Sequence, residues 1–162
     1  MRLTQHTDYA FRVLMFAASR HVRDGAEALS SIHEIAEAYG ISENQLMKVV
    51  HRLAQLGLLH TQRGRGGGLR LAADPATLRL GDVVRAVETD MALVECFSEG
   101  AQCPLSAGCG LADALDEARS AFLASLDGRT LADVVPRARA RQIVALSGRL
   151  AQVASRTEGQ RP

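Results

Sequence analysis

Several shortages in the sequence narrow its fold class. Tryptophan is absent and aromatic residues make up 4% of the 162 residues, although apolar residues make up 47%. A core of this composition consists mostly of Leu, Val and Ala, which suits helices better than sheets. No apolar run approaches the roughly 20 residues that cross a bilayer, and no apolar signal core with a small-residue cleavage site opens the chain. We therefore expect a mostly helical, cytoplasmic protein.

The net charge is also small, at +1, but the charged residues are unevenly distributed along the chain. Residues 1–73 carry +3, residues 74–117 carry −7 and residues 118–162 carry +5. Basic character therefore lies on both sides of an acidic middle. Catalytic patterns are missing as well, since no Ser/His/Asp or paired-carboxylate arrangement is evident and the glycines at 64–68 lack the Lys-Ser/Thr that follows in a phosphate-binding loop. The sequence predicts a protein that is not an enzyme.

Capping signals predict the helices of the first half. The first helix begins near Thr7, with Thr4 or Thr7 as N-cap. A capping box at residues 31–34 opens a helix that Gly40 ends, and a second box at 42–45 opens a helix that runs to Gly57. Helix, glycine turn, helix is the helix-turn-helix arrangement. The outer face of its second helix carries residues able to contact bases: Ser42, Asn44, Gln45, Lys48, His51 and Arg52.

A glycine-rich hairpin follows directly. Short apolar stretches at 58–61 and 69–71 flank a tip rich in Gly and Arg, which predicts two strands and a turn. After a helix-turn-helix such a hairpin is the wing of a winged helix, whereas alone the glycines would equally suit a flexible linker. Glycines at 64 and 66–68 permit positive φ and close approach to a backbone. Arg63 and Arg65 are expected to meet phosphate or enter the minor groove.

The second half is predicted to combine a cysteine-containing loop with further helices, one of them for dimerisation. Asp82 is expected to cap a short helix, and apolar residues spaced along Leu111–Leu126 predict a long dimerisation helix. A third capping box at 130–133 opens a short helix, and a basic helix is expected over 137–156. The predicted division is a DNA-binding domain at 1–73, a region at 74–156 that includes a cysteine loop at 94–111, and a disordered tail at 157–162.

The three cysteines, Cys96, Cys103 and Cys109, all fall in that loop with the spacing C-x6-C-x5-C. Thiolates select soft metals such as zinc or the iron of iron–sulfur clusters. Zinc sites commonly use CxxC pairs with His, but no CxxC is present and all five His precede Cys96 by at least 36 residues. The wide spacing favours an iron–sulfur cluster. Zinc, a metal-free thiol switch and unreactive buried cysteines remain open.

Three cysteines leave a fourth ligand position to another group. Glu95, Glu99 or Asp113 are nearby carboxylates, and another segment or subunit is a further source. A ligand other than a thiolate dissociates more readily, leaving one iron accessible to a small molecule. This favours sensing over electron transfer.

The chain resembles the winged-helix iron–sulfur repressors of bacteria over roughly residues 1–135. The resemblance is carried by the opening M-R-L-T-Q-H-T-D-Y-A-F-R, the segment I-A-E-A-Y-G-I-S-E-N-Q-L-M-K-V-V-H-R-L, the wing R-G-R-G-G-G-L-R-L and the block C-F-x5-C-P-L-x3-C-x-L. It implies a homodimer with one cluster per subunit, [4Fe–4S] in preference to [2Fe–2S]. The implied ligands are Cys96, Cys103, Cys109 and Asp8 of the partner subunit. By itself, an acid in a first helical turn four residues before Arg12 is typical of a cap or an ion pair.

The T-D-Y-A-x-R opening is similar to the nitric-oxide-sensing members of this family. Members that control cluster assembly carry a His shortly after the third Cys, and C-G-L-A-D at 109–113 has none. The resemblance implies a repressor that binds a palindromic operator. Nitrosylation of its cluster by nitric oxide would abolish DNA binding, and nitric oxide detoxification genes would then be expressed. The same fold would serve a sensor of cluster supply, iron or redox state. A zinc-stabilised DNA-binding module is a less favoured alternative.

Overall fold

The computed structural model describes residues 3–97, 103 and 108–135. It confirms a mostly α winged helix-turn-helix with a two-stranded β wing. The predicted basic helix at 137–156 and the tail at 157–162 lie outside the described residues, as does most of the stretch 98–107. In chain order the elements are α1 Gln5–Asp24, α2 Ile32–Tyr39, α3 Glu43–Gln55, β1 Leu59–Gln62, β2 Gly68–Leu71, α4 Leu80–Val87, a 3-10 turn Glu95–Phe97, α5 Gly110–Asp127 and α6 Leu131–Val134.

The first helix begins earlier than Thr7 because Thr4 is its N-cap. The Thr4 hydroxyl accepts a hydrogen bond from the Thr7 backbone N–H at 3.3 Å. The helix then buries one apolar stripe, which includes Val13, Leu14 and Phe16. Of the two predicted caps, Thr4 is the correct one.

The helix-turn-helix forms as predicted, apart from half of its second capping box. Ser31 and Glu34 make the reciprocal pair, with the Ser31 hydroxyl accepting from the Glu34 N–H and the Glu34 carboxylate accepting from the Ser31 N–H. Gly40 then takes a left-handed φ of +63°. Ser42 caps α3, but the Gln45 side chain accepts from the Ser42 hydroxyl at 3.0 Å instead of from its backbone N–H. The prediction of a second reciprocal box was therefore wrong.

The hydrophobic core is a single cluster of aliphatic side chains with Phe16 as its one fully buried aromatic residue among those described. Helices α1, α2 and α3 and both strands contribute to it, and so do α4 and α6 through Leu80, Val83 and Leu131. The expected core of Leu, Val and Ala is confirmed.

The start of α4 differs from the prediction. The helix begins at Leu80 with Arg79 as N-cap, and Asp82 lies exposed in the first turn, where its carboxylate accepts from Arg85 at 3.2 Å. Leu80 is buried with Val83, Val84 and Val87, so the apolar stripe of the helix begins two residues before the acid that was expected to cap it. The capping box that opens α6, Thr130 with Asp133, is present as predicted.

Candidate functional site

The outer face of α3 carries every polar residue predicted to contact bases. Leu46, Val49, Val50 and Leu53 are buried and hold the helix against the core. The opposite side is exposed along its length; on it lie Ser42, Asn44, Gln45, Lys48, His51 and Arg52. The side chains of Ser42 and Gln45 are hydrogen bonded to each other. Asn44, Lys48, His51 and Arg52 have no such partner within the described residues, so these four remain available to a ligand.

The wing is built by close backbone contacts that only glycine permits. A Cβ on Gly67 would lie 2.3 Å from the Gln62 carbonyl oxygen, and one on Gly68 would lie 2.6 Å from the Ser30 carbonyl oxygen. The tip turns through Gly64 and Gly66, at φ of +98° and +79°. The expectations of positive φ and close approach are both confirmed. Arg63 and Arg65 lie exposed at this tip.

A third segment supports the wing, and the sequence pattern did not reveal it. The Ser30 backbone N–H donates to the Leu69 carbonyl at 2.9 Å, and the Leu69 N–H donates to the Ser30 carbonyl at 2.8 Å. The residue just before the N-cap of α2 is thereby fixed to β2. As a result the wing and the helix-turn-helix are held in one arrangement.

All three cysteines are half-buried, and two of them belong to the 3-10 turn and to the start of α5. Cys96 is the middle residue of the turn Glu95–Phe97, and Cys109 is the N-cap residue of α5, although its side chain makes no capping hydrogen bond. Arg119 of α5 lies over the Phe97 ring at 5.6 Å and connects the two elements. Within the described parts of the chain, no three His, Cys, Asp or Glu side chains form a group able to hold a metal ion.

The chemistry of this donor set fits an iron–sulfur cluster. Soft thiolates are the ligands that such clusters use, and Cys109 is the N-cap residue of a helix of 18 residues, so its side chain stands at the start of a regular element. Gly108, at φ +88°, makes the turn that leads the chain into this position.

Asp8 lies in the first turn of α1, and its side chain is 50% exposed. Both of its carboxylate oxygens accept from Arg12 Nε, at 3.2 and 3.1 Å. That hydrogen bond raises the pKa of the Arg12 guanidinium, against the opposing effect of its partial burial. Within one chain, Asp8 is therefore half of an i,i+4 ion pair with an accessible carboxylate.

Arg12 extends this pair towards the helix-turn-helix. Its guanidinium carbon lies 5.8 Å from the centre of the Tyr39 ring, at the end of α2. Tyr39 in turn meets the buried Phe16 ring edge-on, at 6.3 Å between centroids. Burial raises the pKa of the Tyr39 hydroxyl to about 12, although the Arg12 charge opposes the shift.

A second contact at the start of α1 escaped sequence reasoning. Glu88 is buried at 8% exposure, and its Oε1 accepts from the Thr4 backbone N–H at 2.6 Å and from the Thr4 hydroxyl at 3.1 Å. Glu88 follows α4 and begins the segment that leads to Cys96. The cysteine segment and the helix that bears Asp8 are thus connected by one buried carboxylate.

The surface of α5 is the least covered of the long helices. None of its residues, all within the described chain, is buried. Leu126 packs on the core, whereas Leu111 is 67% exposed at the other end of the apolar stripe. No helix among the described residues is both long and apolar enough to cross a membrane.

Comparisons with known proteins agree with this geometry. The model of the Rrf2 family, described as an iron-dependent transcriptional regulator, matches residues 3–137. The HTH-type transcriptional regulator NsrR of Bacillus subtilis strain 168 is 52% identical over 136 residues, which cover 83% of this chain and 90% of that protein.

Two solved structures are similar in fold. CymR (YrzC), the global cysteine regulator of B. subtilis, has a TM-score of 0.66 at 25% identity, with 83% of this chain and 96% of that chain covered. T. potens IscR has a TM-score of 0.63 at 25% identity, with coverage of 83% and 86%.

Proposed function

Because this chain belongs to the Rrf2 family of iron-dependent transcriptional regulators, we propose that it is a DNA-binding repressor controlled by nitric oxide through an iron–sulfur cluster. It acts in the cytoplasm as a homodimer on a palindromic operator and has no catalytic role. The proposal rests on one observation. Contacts at the N-terminus of α1 connect the winged helix-turn-helix to the segment that bears the three cysteines.

DNA binding uses α3 and the wing. The exposed side chains of Asn44, Lys48, His51 and Arg52 face outward together and enter the major groove. Arg63 and Arg65 reach the adjacent phosphates or the minor groove. Pairing of two copies through the open face of α5 sets the distance between the two reading heads, as a palindromic operator requires.

The cluster is held by Cys96, Cys103 and Cys109 of one subunit and by Asp8 of the partner subunit, with one [4Fe–4S] group per subunit. When bound, it supplies iron atoms that react with nitric oxide. The contribution of the chain is to present three thiolates and one oxygen ligand that exchanges more readily than sulfur.

Arg12 and Glu88 connect Asp8, the proposed oxygen ligand, to the helix-turn-helix. Asp8, which is paired with Arg12 in one chain, would be the oxygen ligand of the partner subunit's cluster when that group is bound. Arg12 would then lose its carboxylate partner but keep its contact with Tyr39 at the end of α2. Glu88 holds the N-terminus of α1, which carries Asp8. Arg12 would therefore connect the ligand position of Asp8 with α2.

A second candidate signal is iron or cluster supply, and the description of the matching family as iron-dependent favours it. The same residues would bind the cluster and the operator. The difference would lie in which treatment releases DNA: nitric oxide in the first case, and iron chelation or oxidation in the second.

The test is anaerobic purification of wild type, Asp8→Ala and Asp113→Ala, with iron and sulfide counts, absorption spectra and operator binding before and after nitric oxide. Asp113 is the matched control, a carboxylate in the first turn of α5 close to Cys109. We expect four iron atoms and four sulfides per subunit, consistent with the [4Fe–4S] assignment, and operator release on adding nitric oxide. Asp8→Ala should alter the spectrum and weaken operator binding, whereas Asp113→Ala should resemble wild type.

A colourless protein that contains zinc would refute the assignment of an iron–sulfur cluster. Unchanged operator affinity after complete reaction with nitric oxide would refute the signal, and release on chelation alone would establish the iron-responsive alternative.

A further inference from the structure

Met47 is an apolar side chain on a polar surface. It is 48% exposed, and within the described residues only it and Leu111 are large apolar side chains left in the open. It lies on α3 one turn after Glu43 and Asn44 and one turn before His51, all of them exposed. Leu46 and Val50 on the buried side anchor the helix, so Met47 is not needed for the packing of its own domain.

Met47 lines a groove of about 510 Å³ between α3 and the wing. Val50, Ala54 and Leu69 contribute apolar surface to this groove, while His51 and Arg63 contribute polar groups. The groove therefore joins the two elements that the proposed function assigns to DNA. DNA that binds along α3 and the wing would therefore also cover Met47.

We propose that Met47 is a specificity-determining residue that reads thymine through its C5 methyl group. This inference rests on the DNA-binding part of the proposed function. The thymine methyl is the apolar group that base pairs present in the major groove, where the other readable groups are hydrogen-bond donors and acceptors. A thioether makes at best weak hydrogen bonds, and its unbranched, flexible chain adapts its shape to an apolar partner. Contact with a methyl group buries apolar surface that the free protein exposes.

The test removes only that methyl group. The operator is first obtained by selection from random duplexes with the anaerobically purified, metal-containing protein. Each thymine is then replaced singly by deoxyuridine, which pairs identically but lacks the methyl. At one symmetric position in each half-site, we expect the substitution to weaken wild-type binding about fourfold, which corresponds to one buried methyl or methylene group.

Variants at position 47 connect the effect to this side chain. Met47→Ala should bind thymine and uracil operators equally at that position, while Met47→Leu should keep a preference for thymine. Lys48→Ala, the neighbouring control, should weaken binding to both operators and retain the preference. Because Met47 is exposed, we expect each variant to unfold at the wild-type temperature, which circular dichroism checks.

Two results would overturn the inference and leave the proposed function intact. One is selective wild-type binding that no thymine-to-uracil replacement changes, and the other is an undiminished thymine preference in Met47→Ala. Failure of the wild type to select any duplex would instead overturn both.

Discussion

Glu88 illustrates how a single side chain joins distant parts of this chain. Thr4 uses its hydroxyl to cap α1, and Glu88 accepts from both the backbone N–H and the hydroxyl of that same residue. Two donors at the helix N-terminus are satisfied by one carboxylate from a residue 84 positions away. Glu88 is the buried member of this pair, and hydrogen bonds to a charged carboxylate are among the stronger ones in proteins.

Replacement of Glu88 by Ala should lower the free energy of unfolding by about 1–3 kcal/mol, because it removes the charged acceptor of both Thr4 hydrogen bonds. Glu88→Gln should cost less, since its amide oxygen still accepts a hydrogen bond. Urea denaturation of the apo protein measures both values. Glu117→Ala, an exposed carboxylate on α5, is the control and should stay within about 0.5 kcal/mol of wild type. Equal midpoints for Glu88→Ala and wild type would contradict the proposed contact.

At the scale of elements, the sequence correctly predicted several features that depend only on neighbouring residues. The capping box at Ser31 and the glycine turns of the wing formed as predicted, because each depends on residues within a few positions of one another. The start of α4 was predicted wrongly because buried Leu80 outweighs the capping preference of Asp82. The Ser30–Leu69 pairing had no signature at all, since a single backbone bridge requires no particular side-chain pattern.

The Ser30 bridge gives the wing a sharp test. In Gly68→Ala the new methyl would lie 2.6 Å from the Ser30 carbonyl oxygen, so the bridge must open or β2 must shift. We expect a loss of about 1–3 kcal/mol in the free energy of unfolding and weaker operator binding, because the wing moves relative to α3. Gly128→Ala is the matched control, since its nearest neighbouring atom is 3.7 Å away and its φ is −72°. If both variants unfold at the same urea concentration, the tight wing contact is refuted.

The helix pair contains a pH-dependent contact at His33. Its Nδ1 lies 2.8 Å from a Glu43 carboxylate oxygen, and this hydrogen bond, with the nearby Glu37 charge, raises the pKa of His33. The protonated form is therefore favoured in the folded state. The stabilisation is fully present below the ordinary His pKa of about 6.5 and is lost as pH rises through the raised folded value.

The difference in melting temperature between wild type and His33→Gln should accordingly be larger at pH 5.5 than at pH 8. Comparison at each pH cancels the contribution of other titrating groups. Glu43→Gln should reduce the same difference, because it takes away the hydrogen-bonded carboxylate that contributes most to the raised pKa of His33, while the Glu37 charge remains. A difference that is constant with pH would show that the His33 contact does not titrate in this range.

For the whole molecule, α5 is the helix whose apolar stripe a single copy leaves uncovered. Its apolar stripe passes through Leu115 and Ala118, and neither packs on the core of its own chain. The sequence pattern predicted this helix and its stripe. What the sequence could not provide is the way α1 is enclosed, because contacts such as Glu88 with Thr4 depend on the complete tertiary arrangement.

Ala118→Glu should convert the proposed dimer into a monomer, because it places a charge in the middle of the apolar stripe. Ala118 is exposed in the single copy, so folding should be retained. Ala124→Glu is the matched control on the other side of α5, where a second exposed alanine receives the same change. Sedimentation equilibrium measures the association, and operator binding should fall with it. A monomeric Ala124→Glu or a dimeric Ala118→Glu would place the interface elsewhere.

The packing of α1 also determines when this protein folds during its synthesis. Leu131 and Val135, at 0% and 2% exposure, belong to the core cluster that covers α1, and α6 contacts that helix directly. The segment that forms α6 therefore leaves the ribosome more than 100 residues after α1, whereas α3 and β2, which also contact α1, emerge earlier. Contacts of such long sequence separation form late. During synthesis, the part of the α1 surface that α6 covers thus stays open after α3 and β2 have emerged, and chaperones that bind apolar surfaces have that interval in which to act.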